Sequence, residues 1–111
     1  MNYYIGNAFS LNMVPEHCVA LIDDLTESQA IACYEENYPE SIVGHEDMAK
    51  IMNSILVNDL NHPAIVFNRE TVCLEGGDKI LVAQYSGERL PEGSRNIPDG
   101  AKIRWVLVEI R

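Results

Sequence analysis

The sequence is short of positive charge. Eight Lys and Arg face 17 Asp and Glu, a formal net charge of −9 over 111 residues. Binding to duplex DNA scales with the number of phosphates neutralised and draws on a basic surface, so the composition argues against duplex DNA as a partner. A small anionic ligand held by a few local arginines remains compatible with it. Cysteine is also scarce: Cys18, Cys33 and Cys73 are odd in number and form no C-x-x-C spacing. That argues against a disulfide framework or a zinc ribbon and fits a reducing setting. No apolar run approaches the ~20 residues that span a bilayer. The start, Met1 to Asn7, lacks a basic region followed by an apolar one, so no secretory signal is visible. The expectation is a soluble, intracellular protein with no membrane partner. The three histidines are far apart, and neither H-x-x-x-H nor H-E-x-x-H occurs, so no metal set emerges. Neither G-x-G-x-x-G, nor a phosphate-binding G-x-x-x-x-G-K-[ST], nor G-x-S-x-G is present. P-loop and acyl-hydrolase chemistry are therefore not expected, and no cofactor is implied.

What is present reads as one α+β domain. Apolar residues make up 47% of the chain, an ordinary globular share, and the length suits a single domain spanning 1–111. Tyr3 to Ile5 is a short strand candidate, and His17 to Ile22 a second one closed off by Asp23-Asp24. Thr26 is a good helix N-cap, and Ala30, Ile31, Cys33 and Tyr34 follow at helical spacing as far as Glu36. From Glu46 to Val57, Met48, Ile51, Met52, Ile55 and Leu56 recur every three or four residues, one apolar face of a second helix. Thr71 to Leu74 and Lys79 to Tyr85 flank Glu75-Gly76-Gly77-Asp78 and read as a β-hairpin. Ser86 to Gly100 is polar and irregular, with three glycines and two prolines, a length of loop that is often functional. Ile103 to Ile110 is a last strand with Trp105, Leu107 and Glu109 on one face. The expected architecture is a mixed, mostly antiparallel sheet flanked by two main helices.

Among side chains able to carry chemistry, His45 has the most suggestive context. Gly44 before it permits close approach, and the helix beginning at Glu46 presents free N–H groups to an anion. A bound anion there would favour the imidazolium and a general-acid role. The plainer reading is a helix-terminus histidine without a task. His17 and His62 have no evident partners. Arg89 and Arg95, in the Ser86–Gly100 loop, and Arg69 at the start of a strand suit phosphate recognition through a bidentate fork, or are solvated charges in weak local ion pairs. Asn7, Ser10 and Asn12, set between apolar anchors, could read base edges or sugar hydroxyls, and equally serve as turn and capping residues.

In combination these segments resemble one family. Asn7-Ala8-Phe9-Ser10-Leu11-Asn12-Met13, Gly44-His45 opening a helix with Ile51-Met52-Asn53-Ser54-Ile55, then Asn68-Arg69 and Gln84-Tyr85-Ser86-Gly87-Glu88-Arg89-Leu90-Pro91-Glu92-Gly93 stand in the order found in the viral anti-CRISPR ring nucleases and their cellular relatives. The resemblance implies a metal-independent ribonuclease that degrades cyclic tetra-adenylate, the second messenger of type III CRISPR systems, and so switches off or evades that defence. It implies a symmetric homodimer holding the ring across its two-fold axis, where both subunits meet equivalent phosphates. By the family pattern His45 is the general acid, Arg89 and Arg69 bind and polarise the phosphate, and Glu92 orients the histidine or the arginine. Asn7, Ser10, Asn12 and Gln84 would hold sugar and adenine, and the loop after Ser86 would close over the ligand. The products implied are linear di-adenylates ending in a 2′,3′-cyclic phosphate.

Two other readings stand beside this one. The first is a dimer of the same shape that sequesters a cyclic oligonucleotide without cleaving it, against which the presence of both His45 and Arg89 speaks. The second is a small regulatory protein with an unrelated partner.

Overall fold

Strand β4 (Lys79–Ser86) organises the molecule because four of its residues, Ile80 to Ala83, are buried in succession. A strand covered on both faces has this unbroken apolar character. The computed structural model describes residues 2–57, 64–68, 70, 72–88, 90, 93 and 97–111. Among them the chain forms β1 (Tyr3–Gly6), a short 3-10 turn (Leu11–Met13), β2 (Ala20–Leu25), α1 (Glu27–Asn37), β3 (Glu40–Ser41), α2 (Glu46–Leu56), β4 and β5 (Lys102–Ile110). The strands make one mixed sheet in the order β2-β5-β4-β1-β3.

The sheet is mixed, as expected, and divided. The long ladders β2–β5 and β4–β5 are antiparallel, whereas β1 runs parallel to both β4 and β3. The hairpin expected at Gly76-Gly77 is corrected. A turn does form there, with the Asp78 amide donating to the Glu75 carbonyl, but Val72 to Leu74 belong to no strand and do not pair with β4. Leu74 instead donates its amide to the Met13 carbonyl, and β4 takes β1 and β5 as neighbours. The buried Asp78 carboxylate fixes this junction by accepting the amides of Asn2 at 2.8 Å and Glu75 at 2.9 Å. The second strand also differs. It starts at Ala20 and runs through Asp23 and Asp24 to Leu25, because Asp24 lies opposite Val106 and meets Arg104 at 2.7 Å on the open face.

Two cores lie on opposite faces of the sheet. On one, Ile5, Leu81, Ala83 and Trp105 pack beneath Ala30 and Tyr34 of α1 and Met48, Ile51, Met52 and Leu56 of α2. Each fully buried Ile or Leu side chain contributes about 1.5–3 kcal/mol by leaving water. On the other, Tyr4, Ile80, Val82, Val106, Val108 and Ile110 are covered in part by Met13 and Leu74. The helices match their sequence signals. Thr26 and Gln29 cap α1 reciprocally, and α1 ends at Tyr38, in the left-handed conformation with φ 46°, next to Pro39.

Beyond β3 the chain lays a further extended segment along the sheet edge. Val43 and Phe67 form a parallel bridge, and the Asn68 amide donates to the Val43 carbonyl at 2.9 Å. Asn53 of α2 grips this segment at both ends of its amide: Nδ2 donates to the Ile65 carbonyl, and Oδ1 accepts the Ile65 amide at 2.7 Å. Gly44 and His45 follow directly from this braced edge.

Candidate functional site

His45 is the N-cap of α2. Its backbone is extended, at φ −129° and ψ 118°, and its Nδ1 accepts the Met48 amide at 3.2 Å. This side-chain bond satisfies one of the unpaired amides at the start of the helix, the task more often given to Ser, Asp or Asn. It also fixes the tautomer. A ring nitrogen that accepts a hydrogen bond carries no proton, so in the neutral ring the proton is on Nε2. The ring is exposed. Glu46 and Asp47, in the first turn, meet the positive end of the helix dipole.

The residue before it is tied to the opposite end of the sequence. The Gly44 amide donates to the Asn7 side chain at 3.1 Å. Asn7 follows β1, so one hydrogen bond joins the end of the parallel strand to the start of α2. Ser10 acts locally: its Oγ accepts the Asn12 amide at 3.2 Å and caps the 3-10 turn. These residues converge. Asn7, Ser10, Asn12 and Gly44 line one pocket of about 320 Å³, together with Ile42, Glu70 and Val72. A second pocket of about 270 Å³ adjoins it through Asn7 and Ala8. Its floor is the apolar sheet face of Val82, Val106 and Val108, and its rim carries Gln84, Phe9, Ile22 and Arg104.

Of the residues singled out by sequence, Asn7, Ser10, Asn12 and Gln84 therefore line two adjoining pockets, and His45, which lines neither, follows Gly44 in the wall of the first. Arg69, Arg89 and Glu92 lie outside the described residues, as do His62 and Arg95. Asn68 donates Nδ2 to the Ser41 carbonyl at 3.1 Å, and its Oδ1 accepts the Glu70 amide at 3.0 Å. Asn68 is thus a structural asparagine.

Sequence reasoning missed Glu70 and Arg104. They are the charged side chains among the described residues that line the pockets. Arg104 carries a forked hydrogen bond to Asp24, at 2.7 and 3.2 Å, which holds the Asp24 carboxyl below its usual range. Both are exposed, so the pair adds little to stability. The period-2 pattern of β5 places Arg104 on the face of Val106 and Val108, and it lies opposite Gln84 in the ladder. That was the available signal.

The chain matches the STIV B116-like family model over residues 3–99. It belongs to the STIV B116-like family. The solved structure of B116 of Sulfolobus turreted icosahedral virus superposes with a TM-score of 0.79 at 25% identity, covering 98% of this chain and 99% of that one. The resemblance noted from the sequence is thereby supported at the level of a viral protein family. Asn7, Gly44, His45 and Gln84 lie within the matched residues, whereas Arg104, Val106 and Val108 of the second pocket lie beyond them. No functionally curated protein shows significant similarity to the chain. Among the described residues no helix is long and apolar enough to cross a membrane.

Proposed function

We propose that the protein is a ring nuclease that cleaves cyclic tetra-adenylate as a homodimer, switching off or evading type III CRISPR signalling. One observation carries this reading. The Asn7–Gly44 bond fixes the residue before His45, an exposed histidine at a helix N-terminus, in the wall of a pocket lined by Asn7, Ser10 and Asn12, which the family resemblance names as ligand contacts. The second pocket, with an apolar floor and Gln84 at its rim, suits a flat base with a polar edge.

The proposed reaction uses a nucleophile within the substrate. A ribose 2′-oxygen attacks the adjacent phosphorus, the bond from phosphorus to the 5′-oxygen breaks, and the phosphate closes into a 2′,3′-cyclic ester. The 2′-hydroxyl releases its proton to water, and the departing 5′-oxygen takes one from His45. Alignment replaces a bimolecular encounter, and general-acid help supplies about 10²–10⁴-fold. His45 Nε2 carries the proton delivered. A neutral imidazole is a poor acid, so delivery goes with a second proton on Nδ1 and release of the Met48 amide. A phosphate at the helix terminus favours both changes, since it attracts the imidazolium and takes the freed N–H. Arg69 and Arg89 would supply the charge on the phosphate, and Glu92 would orient the histidine or the arginine.

Thermal unfolding with the ligand tests the reading at its first step. Cyclic tetra-adenylate at 100 times its dissociation constant should stabilise an uncleaving variant by about 2.7 kcal/mol. Absence of any shift favours a regulatory protein with another partner. Binding with no cleavage by the unsubstituted protein favours the sequestering dimer.

A further inference from the structure

Among the described residues, a hydrogen bond fastens the loop after β4 to α2 two residues from His45. The Gly93 amide donates to Asp47 Oδ2 at 3.2 Å. Asp47 stands in the first turn of α2, and its side chain is only 15% exposed. The other carboxylate oxygen is 4.0 Å from Lys50 Nζ on the same helix. Other described residues of the loop are held as well. At its neck Gly87 and Ala101 touch: a Cβ added at Gly87, where φ is +150°, would lie 2.7 Å from the Ala101 Cβ. Tyr85 donates its hydroxyl to the Glu88 carbonyl just beyond that neck. Leu90 and Ile97, one on each arm, pack against the helix-side core. Gly93, between them, is in the left-handed conformation at φ +82°.

We propose that Asp47 is a positioning residue that docks the 87–100 loop on the first turn of α2 through the Gly93 amide. The neck, Leu90, Ile97 and the Asp47 bond fix the described residues of the loop, and in sequence Arg89 and Glu92 fall between Gly87 and Gly93. The docking itself does not depend on any ligand. Its bearing on cleavage rests on the ring-nuclease reading, in which Arg89 and Glu92 must stand beside His45.

The bond needs an acceptor oxygen at position 47 and not a charge. Asp47→Asn keeps the acceptor, while Asp47→Ala removes it. Both lose the negative charge at the helix N-terminus, so comparing the two separates loop docking from the helix dipole. Trypsin reads the loop directly through the bonds after Arg89 and Arg95. With fragments located by mass, Asp47→Ala should be cut within the loop about fivefold faster than the unsubstituted protein, the effect of one hydrogen bond on a local opening. Asp47→Asn should be cut at close to the original rate, and so should Lys50→Ala. Loop cleavage of Asp47→Ala at the original rate, or of either other variant as fast as Asp47→Ala, overturns the proposal. Hydrogen exchange of the Gly93 amide in the unsubstituted protein gives the same reading without a variant: slowed exchange supports the bond, and exchange at the rate of a free amide contradicts it. If the unsubstituted protein leaves cyclic tetra-adenylate intact while these loop responses appear, the nuclease reading fails and the docking role stands. If it cleaves the ring, Asp47→Ala should lower kcat more than it raises KM, with Asp47→Asn restoring it.

Discussion

His45 Nδ1 accepts the amide proton of Met48, three residues on, so the side chain proposed as the acid is also the cap of the helix that carries it. Structure and chemistry can be separated at this residue because asparagine caps helices well and transfers no proton. Loss of a cap to alanine costs about 1 kcal/mol, which in a domain of this size lowers Tm by roughly 4 °C. His45→Ala should therefore lose both stability and turnover, whereas His45→Asn should melt near the unsubstituted protein and still be inactive. Paired melting curves and turnover rates check this. Turnover by His45→Asn at the original rate would remove His45 from the chemistry.

Asn7 offers a second separation. Its side-chain oxygen holds the Gly44 amide and its flank lines both pockets. Asn7→Ala leaves an amide that water can reach, so stability should fall by only about 0.5–1 kcal/mol, while kcat falls roughly tenfold as His45 loses its placement. Asn7→Asp keeps the acceptor but adds a negative charge beside an anionic ligand. It should hold kcat and raise KM. Steady-state kinetics on the two variants distinguish placement from ligand contact, and identical effects would contradict the division.

The legible parts of this fold were those encoded over a few residues. Thr26 as an N-cap, the apolar face from Met48 to Leu56, and the alternation through Trp105 and Leu107 each announced an element at its observed place. The parallel pairing of Tyr3–Gly6 with β4 was not legible, since its partners are 76 positions apart and no local turn joins them. The same distance hid the buried carboxylate of Asp78, whose partners are a turn amide and the amide of Asn2. Gly76-Gly77 misled for a related reason: the turn is real, but Leu74 is bound to Met13. In the site, His45 and Asn7 stood out as residues, and their connection through Gly44 did not, because a hydrogen bond between a loop side chain and a distant amide leaves no periodic trace.

Alkaline pH should expose another feature. Burial, and after it the hydrogen bond and charge of Cys33 and the charge of Glu36, push Tyr3 far above the usual value of 10.0, and burial pushes Tyr34 and Tyr4 upward too. Above pH 10 the unfolded chain releases these protons while the folded chain keeps them. Their contribution is thus fully present below pH 10 and is lost as pH rises past it. Tyr3→Phe should lower stability at neutral pH through the missing contact with Cys33 and give a flatter decline between pH 10 and 12. Melting temperatures across that range check it, and a decline identical to that of the unsubstituted protein would show that folding leaves the Tyr3 pKa unchanged.

Incubation with cyclic tetra-adenylate in EDTA, with the products resolved by chromatography and weighed by mass spectrometry, tests the central claim. The account predicts that the ring disappears and that linear di-adenylate ending in a 2′,3′-cyclic phosphate accumulates, with His45→Asn leaving the ring whole. An intact ring at stoichiometric protein, or products ending in 5′-phosphate, would contradict it.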